Sequence, residues 1–214
     1  MRRLLKTFFW GTLLLLSVAV CAEDKFQPLG KEVSQNPLIQ TLLQEGKGKV
    51  QVLEFFSYGC HWCYKLDPYM DKWQKQQPNT IAFQRIPVEF QPSWKNLSKA
   101  YYTLLNLNKV DTVHPELFAA IQTEKITSSS EEALAEFLAT KGVKTKDFTR
   151  VFGSDEVNKK EKWSNLISHA YRITAVPAVV VQGPAGIFVT TVAMAGSEEA
   201  LLTVINDLVK MQRQ

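Results

Sequence analysis

Cysteine is scarce in this chain. Three in 214 residues are too few for the disulfide framework that holds small secreted folds together. Histidine is equally scarce, at three, so no second cysteine or histidine cluster is available to complete a zinc site. The ten glycines are scattered and form no phosphate-cradling loop, and the sequence shows neither an internal repeat nor a low-complexity tract. Charge of one sign is also missing once the amino terminus is set apart. Removing Arg2, Arg3 and Lys6 from the 25 basic residues leaves 22 against 21 acidic ones. A chain so nearly neutral, without a basic stripe, lacks the footprint of a nucleic-acid binder and has no general attraction to anionic membranes.

What is present describes a folded protein. With 45% hydrophobic and 21% charged residues the composition suits a globular chain and excludes a disordered one. The length holds one well-cored domain, or a domain with an insertion. Residues 1–22 combine a basic start, the apolar run Leu13, Leu14, Leu15 and Leu16, and small residues ending with Val20 and Ala22 at the positions a signal peptidase reads. The uncharged stretch 7–22 has sixteen residues, short of the roughly 20 a bilayer span needs, so the segment reads as a cleaved export signal. Lipidation at Cys21 is the minor alternative, and Val20 fits it poorly. Cleavage leaves the mature chain with Cys60 and Cys63 as its thiols, in a compartment where disulfides persist.

Periodicity then lays out the elements. Residues 23–49 are polar and punctuated by proline and glycine, with room for one short strand or helix. Val50, Val52, Leu53, Phe55 and Phe56 predict a buried strand that leads into the cysteines. Tyr64, Leu66, Tyr69, Met70 and Trp73 predict a helix kinked at Pro68, and 80–90 a second strand. From 93 to 172 the pattern is helical throughout. Leu97, Tyr101, Leu104 and Leu105 form one stripe, Pro115 is placed at a first helical position, and Ser128 with Glu131 resembles a capping box before a helix closed by Gly142. A longer helix carries Trp163, Leu166, Ile167 and Tyr171. Residues 178–181 and 187–192 predict a hairpin, and Ser197 caps a last amphipathic helix. The expectation is an α/β core interrupted by helices.

Cys60-His61-Trp62-Cys63 falls at the predicted strand-to-helix junction. At a helix amino terminus, unpaired N–H groups and the positive dipole end favour a thiolate at Cys60, while Cys63, one turn inside, is more buried. The pair divides into an outer attacking and leaving group and an inner resolving thiol. His61 is a candidate for redox tuning through its imidazolium, and Trp62 offers an apolar surface to a partner peptide. The alternatives are an inert structural disulfide and a metal half-site, the latter starved of ligands because His114 and His169 read as isolated surface or packing residues.

Three segments carry a resemblance to the thioredoxin superfamily, and more closely to the DsbA-type periplasmic thiol:disulfide oxidoreductases. They are Val-Leu-Glu-Phe-Phe-Ser at 52–57, Cys-His-Trp-Cys-Tyr at 60–64 and Thr-Ala-Val-Pro-Ala at 174–178. The resemblance covers essentially the whole mature chain. It implies a thioredoxin-like fold with an inserted all-helical domain: first part 23–92, insertion 93–172, second part 173–214. It implies a cis Val176-Pro177 bond facing the disulfide as part of the substrate-binding surface with Trp62. It also implies that Glu54 is the buried acid near the inner cysteine, tuning the potential or moving a proton, with Arg85 as its charge partner. The dipeptide between the cysteines departs from the best-known DsbA pattern, which has proline then histidine. Since about 30 mV corresponds to about 1.4 kcal/mol, one altered contact to a thiolate moves the potential appreciably.

The function implied is a periplasmic dithiol oxidase that passes its disulfide to folding secreted proteins with free thiols, needs no cofactor, and is reoxidised by a DsbB-like membrane oxidase. Two alternatives stand beside it. One is an isomerase or reductase kept reduced in the cell, for which 23–49 is short as a dimerisation domain. The other is a non-catalytic peptide-binding or chaperone module with the cysteines permanently bridged.

Overall fold

The computed structural model describes residues 25–126 and 129–213. The export signal and Cys21 lie outside the described residues, as does Ser128. Five strands form one sheet: β1 (Gln27–Pro28), β2 (Val50–Phe56), β3 (Ile81–Pro87), β4 (Ala178–Gly183) and β5 (Gly186–Thr191), in the order β1-β5-β4-β2-β3. β2 and β3 are parallel, while β4 runs antiparallel to β2 and β5, and β1 antiparallel to β5. All seven residues of β2 are buried because the strand is central and both of its faces are covered. This is why it reads as a near-continuous apolar run. Its buried amide at Gln51 is satisfied by a polar chain: Gln51 donates to the Leu42 carbonyl at 2.7 Å, Gln182 donates to Gln51, and Tyr171 donates to Gln182.

Before β2 the chain forms α1 (Lys31–Ser34) and α2 (Pro37–Glu45), so residues 23–49 hold both a strand and helices. α3 (His61–Lys75) connects β2 to β3 and runs through Pro68, whose missing N–H leaves the Tyr64 carbonyl without its helical donor. After β3 and a 3-10 turn at Pro92–Trp94 come α4 (Lys95–Asn106), α5 (Val110–Gln122), α6 (Glu131–Ala139), α7 (Thr145–Phe152) and α8 (Asp155–Ala170). α9 (Val192–Ala195) and α10 (Glu198–Met211) follow the β4–β5 hairpin. Val192 therefore opens a helix and does not extend the strand. α3 and α10 pack on one face of the sheet through Leu66, Met70, Leu201 and Leu208, and α2 and α8 on the other through Ile39, Ile167 and Tyr171. A third cluster, with Phe56, Tyr101, Phe118 and Phe148, joins the helical block to the end of β2 where the cysteines lie.

Several boundaries differ from expectation, each for a local reason. β3 stops at Pro87, and the Val88 N–H gives the last bond to β2, at the Phe56 carbonyl, so 89–90 lie beyond the ladder. α5 starts at Val110 and contains Pro115 in its interior, where a proline this near the start removes only the bond to the Asp111 carbonyl. The cap of α6 is Ser130, which accepts from the Ala133 N–H at 3.2 Å, not Ser128. Leu105 and Leu166 point away from the cores of α4 and α8 and are exposed. The end of α6 matches its sequence signal. Gly142 adopts φ +78°, its N–H meets the Ala139 carbonyl and the next N–H, of Val143, meets Leu138, a closure that favours glycine.

Candidate active site

β2 ends at Phe56, and Ser57, Tyr58 and Gly59 turn the chain into α3. Gly59 is required by a close approach, since a Cβ there would lie 2.3 Å from the Trp94 indole nitrogen. Cys60 is the N-cap of α3, and its sulfur accepts from the Cys63 backbone N–H at 3.2 Å. Cys60 is 8% exposed, Cys63 is fully buried, and both are free thiols. The Cys60 pKa is pulled down to about 7, first by the hydrogen bond from the Cys63 thiol, then by backbone N–H groups of Cys63 and Trp62, against burial. Burial pushes Cys63 far up, reinforced by its bond to Cys60 and by the Cys60 and Glu54 charges. One sulfur is thus poised as a thiolate near neutrality and its neighbour is held as a thiol.

The Cys60 thiol also faces the Val176 carbonyl, its donor-to-acceptor distance being 3.5 Å, and Val176-Pro177 is cis. Beside this pair a groove of about 380 Å³ is lined by Trp62, Ala175, Val176, Pro177, Val192 and Glu198, among others. Trp62 is 60% exposed at its edge, with the Lys65 ammonium 4.5 Å above the ring. The fold therefore brings together Cys60, Cys63, Trp62, Val176 and Pro177, as expected. His61 is exposed and sets its ring edge-on to Trp62 at 5.8 Å. The groups that acidify Cys60 are the inner thiol and the backbone.

Glu54 is buried beneath the cysteines, opposite Arg85 in the parallel register of β2 and β3. The Arg85 guanidinium donates to Glu54 at 3.0 Å and to Asp67 at 3.1 Å, so the anticipated partner is present with a second carboxylate. Desolvation raises Glu54 to about 7, opposed by Arg85 and assisted by the Asp67 charge. Asp67 also accepts from His114 at 2.9 Å, and His114 contacts the Tyr58 hydroxyl at 2.6 Å. His169 is exposed, but His114 is a buried hydrogen-bonding residue rather than an isolated one. Asp67, His114, Tyr58 and Trp94 did not stand out in the sequence. Asp67 had one visible signal: an acid one turn after Cys63 on the helix face that carries Cys63 and Met70 inward.

The chain matches the DSBA-like thioredoxin domain family over residues 51–202. The thiol:disulfide interchange protein DsbA of Bordetella parapertussis is 31% identical over 210 residues, spanning 95% of this chain and 97% of that protein. The Pseudomonas aeruginosa protein of the same name is 29% identical over 213 residues, covering 100% and 98%. The crystal structure of Pseudomonas aeruginosa DsbA superposes with a TM-score of 0.77 at 28% identity, covering 89% of this chain and 93% of that one.

Proposed function

The chain belongs to the DSBA-like thioredoxin family, and from that membership we propose that it is a protein disulfide oxidoreductase that donates a Cys60–Cys63 disulfide to folding exported proteins. A substrate thiolate attacks Cys60 Sγ of the bridged form, the bond between the sulfurs breaks, and Cys63 leaves with the electron pair. Cys63 then takes up a proton, for which Glu54, half-protonated near pH 7, is the nearby buried source. A second substrate thiolate attacks the substrate sulfur of the mixed disulfide and expels Cys60 as its thiolate. The substrate is oxidised by two electrons and the enzyme reduced by two.

The observation that carries this reading is the asymmetry of the two sulfurs. A thiol near pKa 7 leaves faster than an ordinary one, and a stabilised thiolate favours the reduced enzyme, so the disulfide is readily given away. The groove over Trp62, Val176 and Pro177 suits an extended, largely apolar peptide lying beside Cys60. Residues 93–172 are read as a helical insertion into a thioredoxin-like domain. Reoxidation is assigned to a quinone-linked membrane oxidase of the DsbB kind. The compartment proposed is the periplasm, reached through the export signal at 1–22; among the described residues no helix is long and apolar enough to cross a membrane.

Replacing Cys63 with Ala removes the resolving thiol, so a Cys60 thiolate that attacks a disulfide of an exported protein, releasing one of its sulfurs as a thiolate, is expected to stay bound as a mixed disulfide visible on non-reducing gels. Their absence, with the variant folded, would overturn the assignment of Cys60 as the exchanging sulfur. Thiol trapping in cells gives the direction: a mainly oxidised pool marks a donor, a mainly reduced one an isomerase or reductase.

A further inference from the structure

The groove beside Cys60 carries on its wall an acid that the fold leaves without a partner. β5 passes into α9, where the Thr191 hydroxyl caps the short helix by accepting from the Met194 N–H at 3.2 Å. Gly196 then takes φ +99°, a left-handed conformation that suits glycine, and α10 begins two residues later. This tight turn sets Glu198, the first residue of α10, into the lining that also holds Trp62, Val176 and Pro177. The acid is half-buried there. Of the residues that line the groove it is the one that carries a charge.

The start of α10 does not depend on this acid. Ser197 supplies the cap, accepting from the Ala200 N–H at 3.1 Å. Glu199 is bound back to its own N–H and to the Tyr69 and Ser197 hydroxyls, which hold its carboxyl below the usual range. Glu198 makes no side-chain hydrogen bond and no ion pair among the described residues, although its charge reaches Tyr69 on α3. Lys65, one turn before Tyr69 on the same helix, keeps its ammonium 4.5 Å over the Trp62 ring and is bonded to neither acid. The groove therefore offers an apolar surface with one uncompensated negative charge set into it.

We propose that Glu198 is a specificity-determining residue: it selects polypeptide substrates in which an arginine or lysine lies within a few residues of the cysteine that attacks Cys60. The inference rests on the reading of Cys60 and Cys63 as the exchanging pair and names the substrate class that this pair serves best. Cys60 Sγ is 3.5 Å from the Val176 carbonyl, and Val176 lines the groove, so a chain joined to Cys60 sends its neighbouring side chains along the same lining as Glu198. A seated peptide displaces water, and charge interactions on the wall strengthen as it does so. A cationic side chain then gives Glu198 its first ion pair. A neutral one leaves the carboxylate desolvated without compensation, and an acidic one is repelled. Arginine serves best, because its stem covers apolar surface while its fork meets a carboxylate. Glu198 is not among the groups that acidify Cys60, so it acts on which chain binds and not on the sulfur.

The test is the second-order rate constant with which the oxidised, full mature chain oxidises dithiol peptides that differ at one position, occupied by Arg, Leu or Glu and walked along both flanks of a cysteine. At the position that reaches Glu198 the parent is expected to favour Arg over Glu by a ratio about threefold to fivefold larger than Glu198→Gln shows. The effect of the peptide's own charge on its thiol is the same for every variant and cancels in that quotient. A change at Cys60 itself would move all the peptides alike. Glu198→Lys is expected to invert the preference, so that the Glu peptide gains on the Arg peptide. The proposal is overturned if Glu198→Gln, folded by circular dichroism, keeps the parental ratio at every position, or if Glu199→Gln lowers the ratio as far as Glu198→Gln does. Oxidation of all the peptides with no charge preference removes this proposal alone. A parent chain that oxidises none of them, the Leu peptides included, removes the reading of the cysteine pair as well.

Discussion

At the scale of single residues, Glu54 shows how a buried charge sets a pH dependence. Its carboxyl sits in a strand with no solvent, and desolvation outweighs the attraction of Arg85, so its folded pKa of about 7 exceeds the unfolded value of 4.5. The folded state therefore binds a proton that the unfolded state has released. Stability falls as pH rises from about 4.5 through about 7 and levels off above, by on the order of 2 to 3 kcal/mol. Glu54→Gln cannot titrate, so urea midpoints of the variant, in one redox state, should lack this decline; an unchanged slope would assign it to another group. The acid and its arginine were reached through the resemblance, and the register that puts Val50 beside Ile81 is what sets them opposite each other. Asp67 and His114 were not, because their roles exist only after α3 and α5 pack together. A lone histidine in a helical pattern carries no mark of the two partners it will meet.

At the scale of elements, the active site depends on a helix beginning where a strand has just ended. A continuous apolar run signals β2, a Gly-Cys step breaks it, and a 3.6-residue period takes over, so the junction was readable without any tertiary information. Caps were read unevenly for a physical reason. Ser197 precedes two acids and a clean apolar stripe, and its hydroxyl accepts from the Ala200 N–H at 3.1 Å. Before α6 three serines stand in succession, 128 to 130, and composition alone does not select which one the packing of Leu134 and Leu138 brings to the cap. Ser197→Ala should cost about 1 kcal/mol, read as a lower denaturation midpoint. Because α10 packs on the sheet through Leu201, Ile205 and Leu208, away from the thiolate's donors, the ultraviolet titration of Cys60 should be unmoved. A shift in that titration would mean that the groove wall and the thiolate are mechanically coupled.

At the scale of the whole molecule, the site is assembled from segments 116 residues apart, with Cys60 meeting Val176 only because β4 returns antiparallel beside β2. Strand content and order along the chain were readable. The spatial order β1-β5-β4-β2-β3 follows from no local pattern, and the resemblance implied the fold class without stating it. The same assembly couples redox state to folding. In the dithiol form Cys60 titrates near 7 when folded and near 9 when unfolded, whereas in the disulfide form it does not titrate at all. A lowered folded pKa contributes stability that is present above the unfolded value and is lost as pH falls through the folded value. The dithiol form should therefore gain on the disulfide form between about pH 7 and 9, by about 1 to 2 kcal/mol after screening by solvent. The loop-closure contribution of the disulfide is independent of pH and cancels in the change, and a Glu54→Gln background removes the Glu54 contribution. Urea denaturation of both forms at pH 6.5 and 9 measures it: a stability gap that stays constant across that interval would show that the fold does not favour the Cys60 thiolate, and the driving force for donating the disulfide would have to lie elsewhere.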